Sequence, residues 1–215
     1  MLLAVIAMLS MPSANASQRR DHRCIDRGTR TVLTGREVGV YRTARGAARH
    51  HGGWYGCRFT TGRRTVLFHY QFEHGRLLRI AGRYIAYTAP SLPYPEDPDV
   101  EPAAVIAYDL GHPKVRLSWR SCHADPWSGS LPAPPNCATK GADPVTALVI
   151  APNGALVWIA RPARAGEDYE VIATAPGQGT RLLDHGPAIG PRSLTRHGFT
   201  ATWTNHGEPR TANLR

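Results

Sequence analysis

The 215-residue sequence predicts an all-β fold that is propeller-like, with about four blade-like units. Three observations carry that prediction. Runs of strand type recur in pairs around glycine-bearing turns. The turning glycines, Gly35, Gly82, Gly154 and Gly198, stand 47, 72 and 44 residues apart. Behind each of the first three hairpins comes a second, so four β runs fill roughly 45 residues, the length of one blade. A β-sandwich of short, turn-punctuated strands is the alternative, and the ring of units could also be incomplete or open. Helix is scarce on either reading, since AARHH (47–51) makes one turn at most.

The chain opens MLLAVIAMLSMPSANAS. The apolar run from Leu2 to Met11 is too short to cross a bilayer, and Ala14-Asn15-Ala16 has the small-x-small ending that a signal peptidase takes. The expectation is a secretory signal over residues 1–16, despite the uncharged start, and a single mature domain over 17–215. A buried N-terminal helix is disfavoured by the polar stretch RRDHR that follows. No later stretch approaches the ~20 apolar residues of a transmembrane segment, so a secreted or extracytoplasmic, soluble mature chain is expected.

The first unit is TVLTGREVGVYRTA, turning at Gly35, followed by GWYGCRFTTGRRTVLFHY. The second is LLRIAGRYIAYTAP, turning at Gly82, followed by AVIAYDLGHPKVRLSW. In the third, TALVIAPNG and ALVWIARP flank Asn153-Gly154, the strongest short hairpin signal, and a type I′ turn with positive φ at both residues is expected. YEVIATAPGQGTRLLDHG completes that unit. After each turn an apolar or aromatic residue recurs at alternate positions: Val38 and Val40; Tyr84 and Ala86; Leu156, Trp158 and Ala160; Phe199, Ala201 and Trp203. Periodic aromatics inside strands mark packed sheets, so Trp158 and Trp203 are expected in the core. The fourth unit, SLTRHGFTATWTNHG, runs out after a third strand, PRTANLR. CIDRGTR, just ahead of the first unit, is the candidate to complete it and close a ring.

The pairs LRIAGRYIAYTAP with VIAYDLGHPKVRLSW, and VIAPNGALVWIARP with YEVIATAPGQGTRLLDHG, resemble the blade halves of secreted TolB-type propeller proteins. The chain is similar in particular to exported actinobacterial proteins that end in a unit like SLTRHGFTATWTNHGEPRTANL. The resemblance spans about residues 24–215 and implies a fold without implying an activity. TolB itself works with protein partners in the cell envelope, but the extra N-terminal domain of that protein has no counterpart here.

Four cysteines in an exported chain favour disulfides, with three pairings open. Cys122 with Cys137 would staple the loop SCHADPWSGSLPAPPNCATKGADP (121–144), and Cys24 with Cys57 would tie the mature N-terminus to the first unit. No C-x-x-C pair is present, which argues against a zinc site of thiolates. The net charge of +10 is almost wholly arginine: residues 17–83 hold fifteen Arg against Asp21, Asp26, Glu37 and Glu73. Such a basic third suits polyanions such as acidic wall polymers, anionic lipid heads or nucleic acid, with an envelope protein or anionic polymer the expected partner and nucleic acid the less favoured one. The plainer reading is a compositional preference for Arg, with the guanidinium groups in solvent.

Catalytic motifs are missing: the sequence has no G-x-S-x-G, H-E-x-x-H or phosphate-cradling G-x-x-x-x-G-K-[ST]. No cofactor or metal is expected. The acidic stretch PYPEDPDVEP (93–102) lacks the glycine of a tight calcium loop and reads as a solvated connection. His50 and His51, adjacent on an extended chain, point apart and chelate poorly. Speculative binding residues are therefore Trp54, as a stacking platform beyond those histidines, and His123, Asp125 and Trp127 in the 121–144 loop. The favoured function is a non-enzymatic envelope binding or scaffold module. A hydrolase or lyase acting on polysaccharide in a propeller funnel is the alternative.

Overall fold

The computed structural model describes residues 23–25, 28–43, 53–69, 77–89, 104–112, 116–120, 145–161 and 168–215. The expected signal segment (1–16), the expected pairing of Cys122 with Cys137 and the 121–144 loop, the acidic stretch and the two adjacent histidines lie outside the described residues. Within them the fold is all-β: four antiparallel, blade-like sheets, each a sequential meander. The first sheet holds β1 (Thr29–Thr34), β2 (Val38–Thr43), β3 (Gly53–Arg58) and β4 (Arg63–His69). The second holds β5 (Leu78–Ala81), β6 (Tyr84–Ala89), β7 (Ala104–Asp109) and β8 (Arg116–Arg120). The third holds β9 (Val145–Ile150), β10 (Leu156–Ala160), β11 (Tyr169–Thr174) and β12 (Arg181–Gly186). The fourth has three strands, β13 (Thr195–His197), β14 (Thr200–Asn205) and β15 (Glu208–Asn213). Four sheets, rather than the two of a sandwich, make this a propeller-like array.

The sheets stack in chain order through three apolar layers. Val38 and Val40 of the first pack against Ile85, Tyr87, Ile106 and Tyr108 of the second. Ala86, Val105 and Ala107 pack against Leu148, Leu156, Trp158 and Ile172 of the third. Val157, Ile159 and Val171 pack against Ile189, Leu194, Ala201 and Trp203. The third sheet is thus covered on both faces, which is why β10 reads LVWIA with every residue buried, as strands of doubly covered sheets do. Trp158 is fully buried and Trp203 nearly so, both in the core as the sequence implied. Residues aligned by the repeat do not all face one way. Leu156 and Trp158 face the preceding sheet, whereas Tyr84 and Ala86 face the following one.

The two ends of the stack are finished differently. The fourth sheet alternates buried Ala201 and Trp203 with the more open Thr200, Thr202 and Thr204, so its outward face is hydroxyl-bearing. On the first sheet, the outward Tyr41, Tyr55 and Cys57 are buried beneath Cys24, which is disulfide-bonded to Cys57, and the Tyr55 hydroxyl donates to the Cys24 carbonyl at 2.7 Å. Polar or capped terminal faces suit a stack whose outermost units have a neighbour on one side. Among the described residues no apolar cluster joins the fourth sheet to the first. CIDRGTR does not complete the fourth sheet: Cys24 is fastened to Cys57, and Thr29 and Arg30 open β1, pairing with Thr43 and Arg42 of β2. The disulfide and the β1–β2 register commit that stretch to the first sheet.

The hairpin glycines recur because they sit at equivalent turns. Gly82, Gly154 and Gly198 have positive φ; Gly35 does not. The Asn153-Gly154 turn differs from the expected type I′. Among non-glycine residues described, only His206 has positive φ, so Asn153 does not take the left-handed conformation. Gly154 N–H donates to Ala151 O at 2.9 Å and Ala155 closes the loop through Ala151 N–H at 2.7 Å. Pro152 at the second position fixes a negative φ and selects a type I turn with glycine following, the three-residue hairpin loop. The two-residue turn with positive φ at both positions is His206-Gly207, at 52° and 78°, between β14 and β15.

Candidate functional site

Sequential antiparallel strands send the two kinds of connection to opposite ends. Short turns gather at one end and touch one another. Phe59 N–H donates to Glu37 O at 3.0 Å, linking the two turns of the first sheet. Leu110 N–H donates to Arg83 O at 3.1 Å in the second. Asn153 Nδ2 donates to Leu214 O at 2.7 Å, tying the third sheet to the end of the fourth. The longer connections, 44–52, 70–76, 90–103, 121–144 and 162–167, leave from and return to strand ends at the opposite side. His123, Asp125 and Trp127 fall in one of these and lie outside the described residues.

Trp54 is described. It is the second residue of β3, at the end where the long connections arise, half-buried and packed against the layer between the first two sheets. The Arg42 guanidinium carbon stands 6.0 Å from its ring centroid, within cation–π reach. Trp54 is therefore partly a packing residue with an arginine on its face.

The dominant chemistry of the first sheet is cationic. Arg23, Arg30, Arg36, Arg42, Arg58, Arg63 and Arg64 are described there, and Glu37 is the one acidic residue described with them. Registers bring like charges face to face: Arg30 is the partner of Arg42 on β1–β2, and Arg58 of Arg63 on β3–β4. Arg64 lies over the Tyr55 ring at 5.2 Å. The register that makes two arginine pairs emerges only when strands are paired. The RFTTGRR stretch carried a partial signal: a hairpin whose turn takes the four residues 59–62 opposes Arg58 to Arg63, whereas one closing on the three residues TTG would have opposed Phe59 to Arg63.

Two carboxylates, the buried Asp109 and the half-buried Asp184, are each engaged by several hydrogen bonds, and the sequence did not single out either. Asp109, at the end of β7, lies 2.9 Å from Arg83 Nε through Oδ1 and accepts from Gly111 N–H at 2.7 Å, while His112 Nδ1 is 3.2 Å from Oδ2. Burial pushes its pKa up, but the bonds from His112 and Gly111 and the Arg83 charge outweigh burial and hold it below the ordinary value. Arg83 also donates to the Tyr84 hydroxyl at 3.1 Å, and this bond leads the effects that raise its own pKa. Asp184, on β12, accepts from Trp203 Nε1 at 2.7 Å and from Asn205 Nδ2 at 3.1 Å. Its pKa, too, is lowered against the opposing effect of burial, by these bonds, the His185 N–H and the Arg210 charge. Both groups are anchors whose lone pairs are already engaged. Among the described residues no three His, Cys, Asp or Glu side chains are grouped to hold a metal. No helix described is long and apolar enough to cross a membrane.

No protein-family model matches the sequence, and none of the curated proteins matches it. Among solved structures, the chain is similar to the AtxE2 isopeptidase in a serine-to-alanine variant with Astexin3-dC4 bound. Identity is 11%, the alignment covers 86% of this chain and 31% of that one, and the TM-score is 0.40. This chain spans under a third of that protein's length. At such distance the likeness carries no argument about activity, and the fold rests on the four sheets themselves.

Proposed function

We propose that the chain is an exported, non-enzymatic binding module of the cell envelope, of TolB-type propeller character, that recognises an anionic partner through its first sheet. The observation that carries this reading is the seven described arginines of that sheet against Glu37 alone. A one-signed face of this kind raises local anion concentration and speeds encounter with a polyanion. The disulfide Cys24–Cys57 suits an oxidising compartment, in line with the leader at residues 1–16.

The test is retention of the chain over residues 17–215 on an immobilised polyanion and on a neutral polysaccharide of the same matrix. Retention on the polyanion that falls steeply with added salt is expected, with none on the neutral polymer. Equal retention on both, or none on the polyanion at low salt, would refute the reading. Export is tested by sequencing the N-terminus of secreted protein, which is expected to begin at Ser17.

A further inference from the structure

We propose that the tip of the β3–β4 hairpin is a phosphate-binding site made by Arg58 and Arg63, with Arg23 held beside it by the Cys24–Cys57 disulfide. The inference rests on the anionic-partner reading and names its ligand chemistry: a non-nucleic polymer carrying repeated phosphate groups. Arg58 and Arg63 are direct partners across β3–β4, on the two sides of the Thr60–Gly62 turn. Opposed side chains in an antiparallel pair start ~5 Å apart, and like charges in that position destabilise a sheet unless an anion lies between them. Arg58 is half-buried, and its Nε is shielded from solvent with no hydrogen-bond acceptor among the described residues. That shielded N–H is out of reach of a polymer in solution, so an external phosphate would engage the terminal Nη groups of Arg58 together with the exposed Arg63.

Arg23 is brought to the same hairpin tip by covalent placement. Its neighbour Cys24 is bonded to Cys57, the residue before Arg58. Arg23 lies against Gly62, where a Cβ would stand 3.1 Å from its own Cβ, and Nη1 reaches the Thr60 carbonyl at 3.4 Å. Among the described residues Arg23, Arg58 and Arg63 form no ion pair with a carboxylate. A planar carboxylate fills one guanidinium fork, whereas a phosphate presents oxygens in several directions and can bridge two neighbouring arginines such as this cross-strand pair. A cross-strand arginine pair therefore favours phosphate over carboxylate.

The experiment titrates the disulfide-intact chain with poly(glycerol phosphate), with polyglutamate of matched charge and with duplex DNA. Wild type is expected to bind poly(glycerol phosphate) at least about tenfold more tightly than polyglutamate. R58Q/R63Q is expected to lose about tenfold or more for the phosphate polymer, and R30Q/R42Q no more than about threefold. R58K, which keeps charge but lacks the fork, guards against misfolding as the cause: it should melt like wild type and still lose about threefold or more. R23Q should weaken binding with an unchanged melting temperature. Wild-type affinity in R58Q/R63Q, or an equal loss in R30Q/R42Q, would overturn the site while leaving the anionic-partner reading in place. Equal affinity for polyglutamate, or tighter binding of DNA, would overturn the ligand class. Failure of wild type to bind any of the three would instead defeat the broader reading.

Discussion

The indole of Trp203, on β14 of the fourth sheet, donates Nε1–H to Asp184 Oδ2 on β12 of the third at 2.7 Å. Asn205, two residues on along the same strand face, donates to both oxygens of that carboxylate at 3.1 Å. One aspartate thus fixes the lateral position of the last sheet on its neighbour, over the apolar layer that supplies the adhesion. Replacing Asp184 by Ala is expected to cost about 1 kcal/mol, since Trp203 loses its acceptor while its ring stays packed. Urea denaturation checks this, and an unchanged midpoint would show that the layer alone sets the docking.

Acid should weaken the fold through two groups. Asp109 and Asp184 have folded pKa values below 3.8, so each contributes stability that is present above the unfolded value and lost as pH falls through the folded one. The melting temperature is expected to hold from neutral pH to about pH 5 and to drop below about pH 4. In D109N/D184N the neutral-pH value should be lower and the acid drop shallower. Parallel melting curves for the two proteins across that range would contradict the assignment.

Reduction of Cys24–Cys57 should be costly. The bond closes a loop with a sequence separation of 33, for which chain entropy gives about 3–4 kcal/mol. The bond also keeps Cys24 over Tyr41 and Tyr55, so C24S/C57S should expose those rings. Stability by guanidinium titration and tyrosine fluorescence report the two effects separately. A loss below about 1 kcal/mol would mean that the first sheet holds its N-terminal segment without the bond.

The hairpin glycines should differ in tolerance to alanine. At Gly198 a Cβ meets nothing within 4 Å, so G198A bears only the cost of φ 58°, about 1 kcal/mol. At Gly154 (φ 87°) the Cβ would stand 2.7 Å from Tyr84 Cε1 and 3.0 Å from Pro176 Cγ. G154A adds overpacking of about 1–3 kcal/mol to the conformational cost. Thermal unfolding of the two variants side by side is the measurement, and equal losses would show that the turn of the third sheet yields without resistance.

The Arg58 and Arg63 pairing makes a prediction of opposite sign. Replacing Arg63 by Glu turns a repulsive cross-strand pair into an attractive one, and R63E is expected to gain about 0.5 kcal/mol while losing phosphate affinity. A destabilised R63E would mean that the two guanidinium groups do not oppose each other.

The sequence by itself determined the strands, their meander and the number of units. Glycine turns and alternating apolar residues specify local geometry, which is why units read around Gly35, Gly82, Gly154 and Gly198 became four separate sheets. It also marked Trp158 and Trp203 as core. Tertiary structure alone decided how the units combine. The sequence favoured the Cys24–Cys57 bond, which the structure has, but that CIDRGTR opens the first sheet instead of completing the fourth was decided by the β1–β2 pairing. β10 lost its alternation because two neighbours cover it. Pro152 overrode the turn type that Asn153-Gly154 suggests, because the two-residue turn would make 152 and 155 a hydrogen-bonded pair for which proline has no N–H, while its fixed negative φ suits the first corner of the wider loop. Most of the candidate site was illegible for a related reason: Arg58 with Arg63, and Asp184 with Trp203, are pairs only across strands, and strand register depends on contacts between segments that local sequence does not encode.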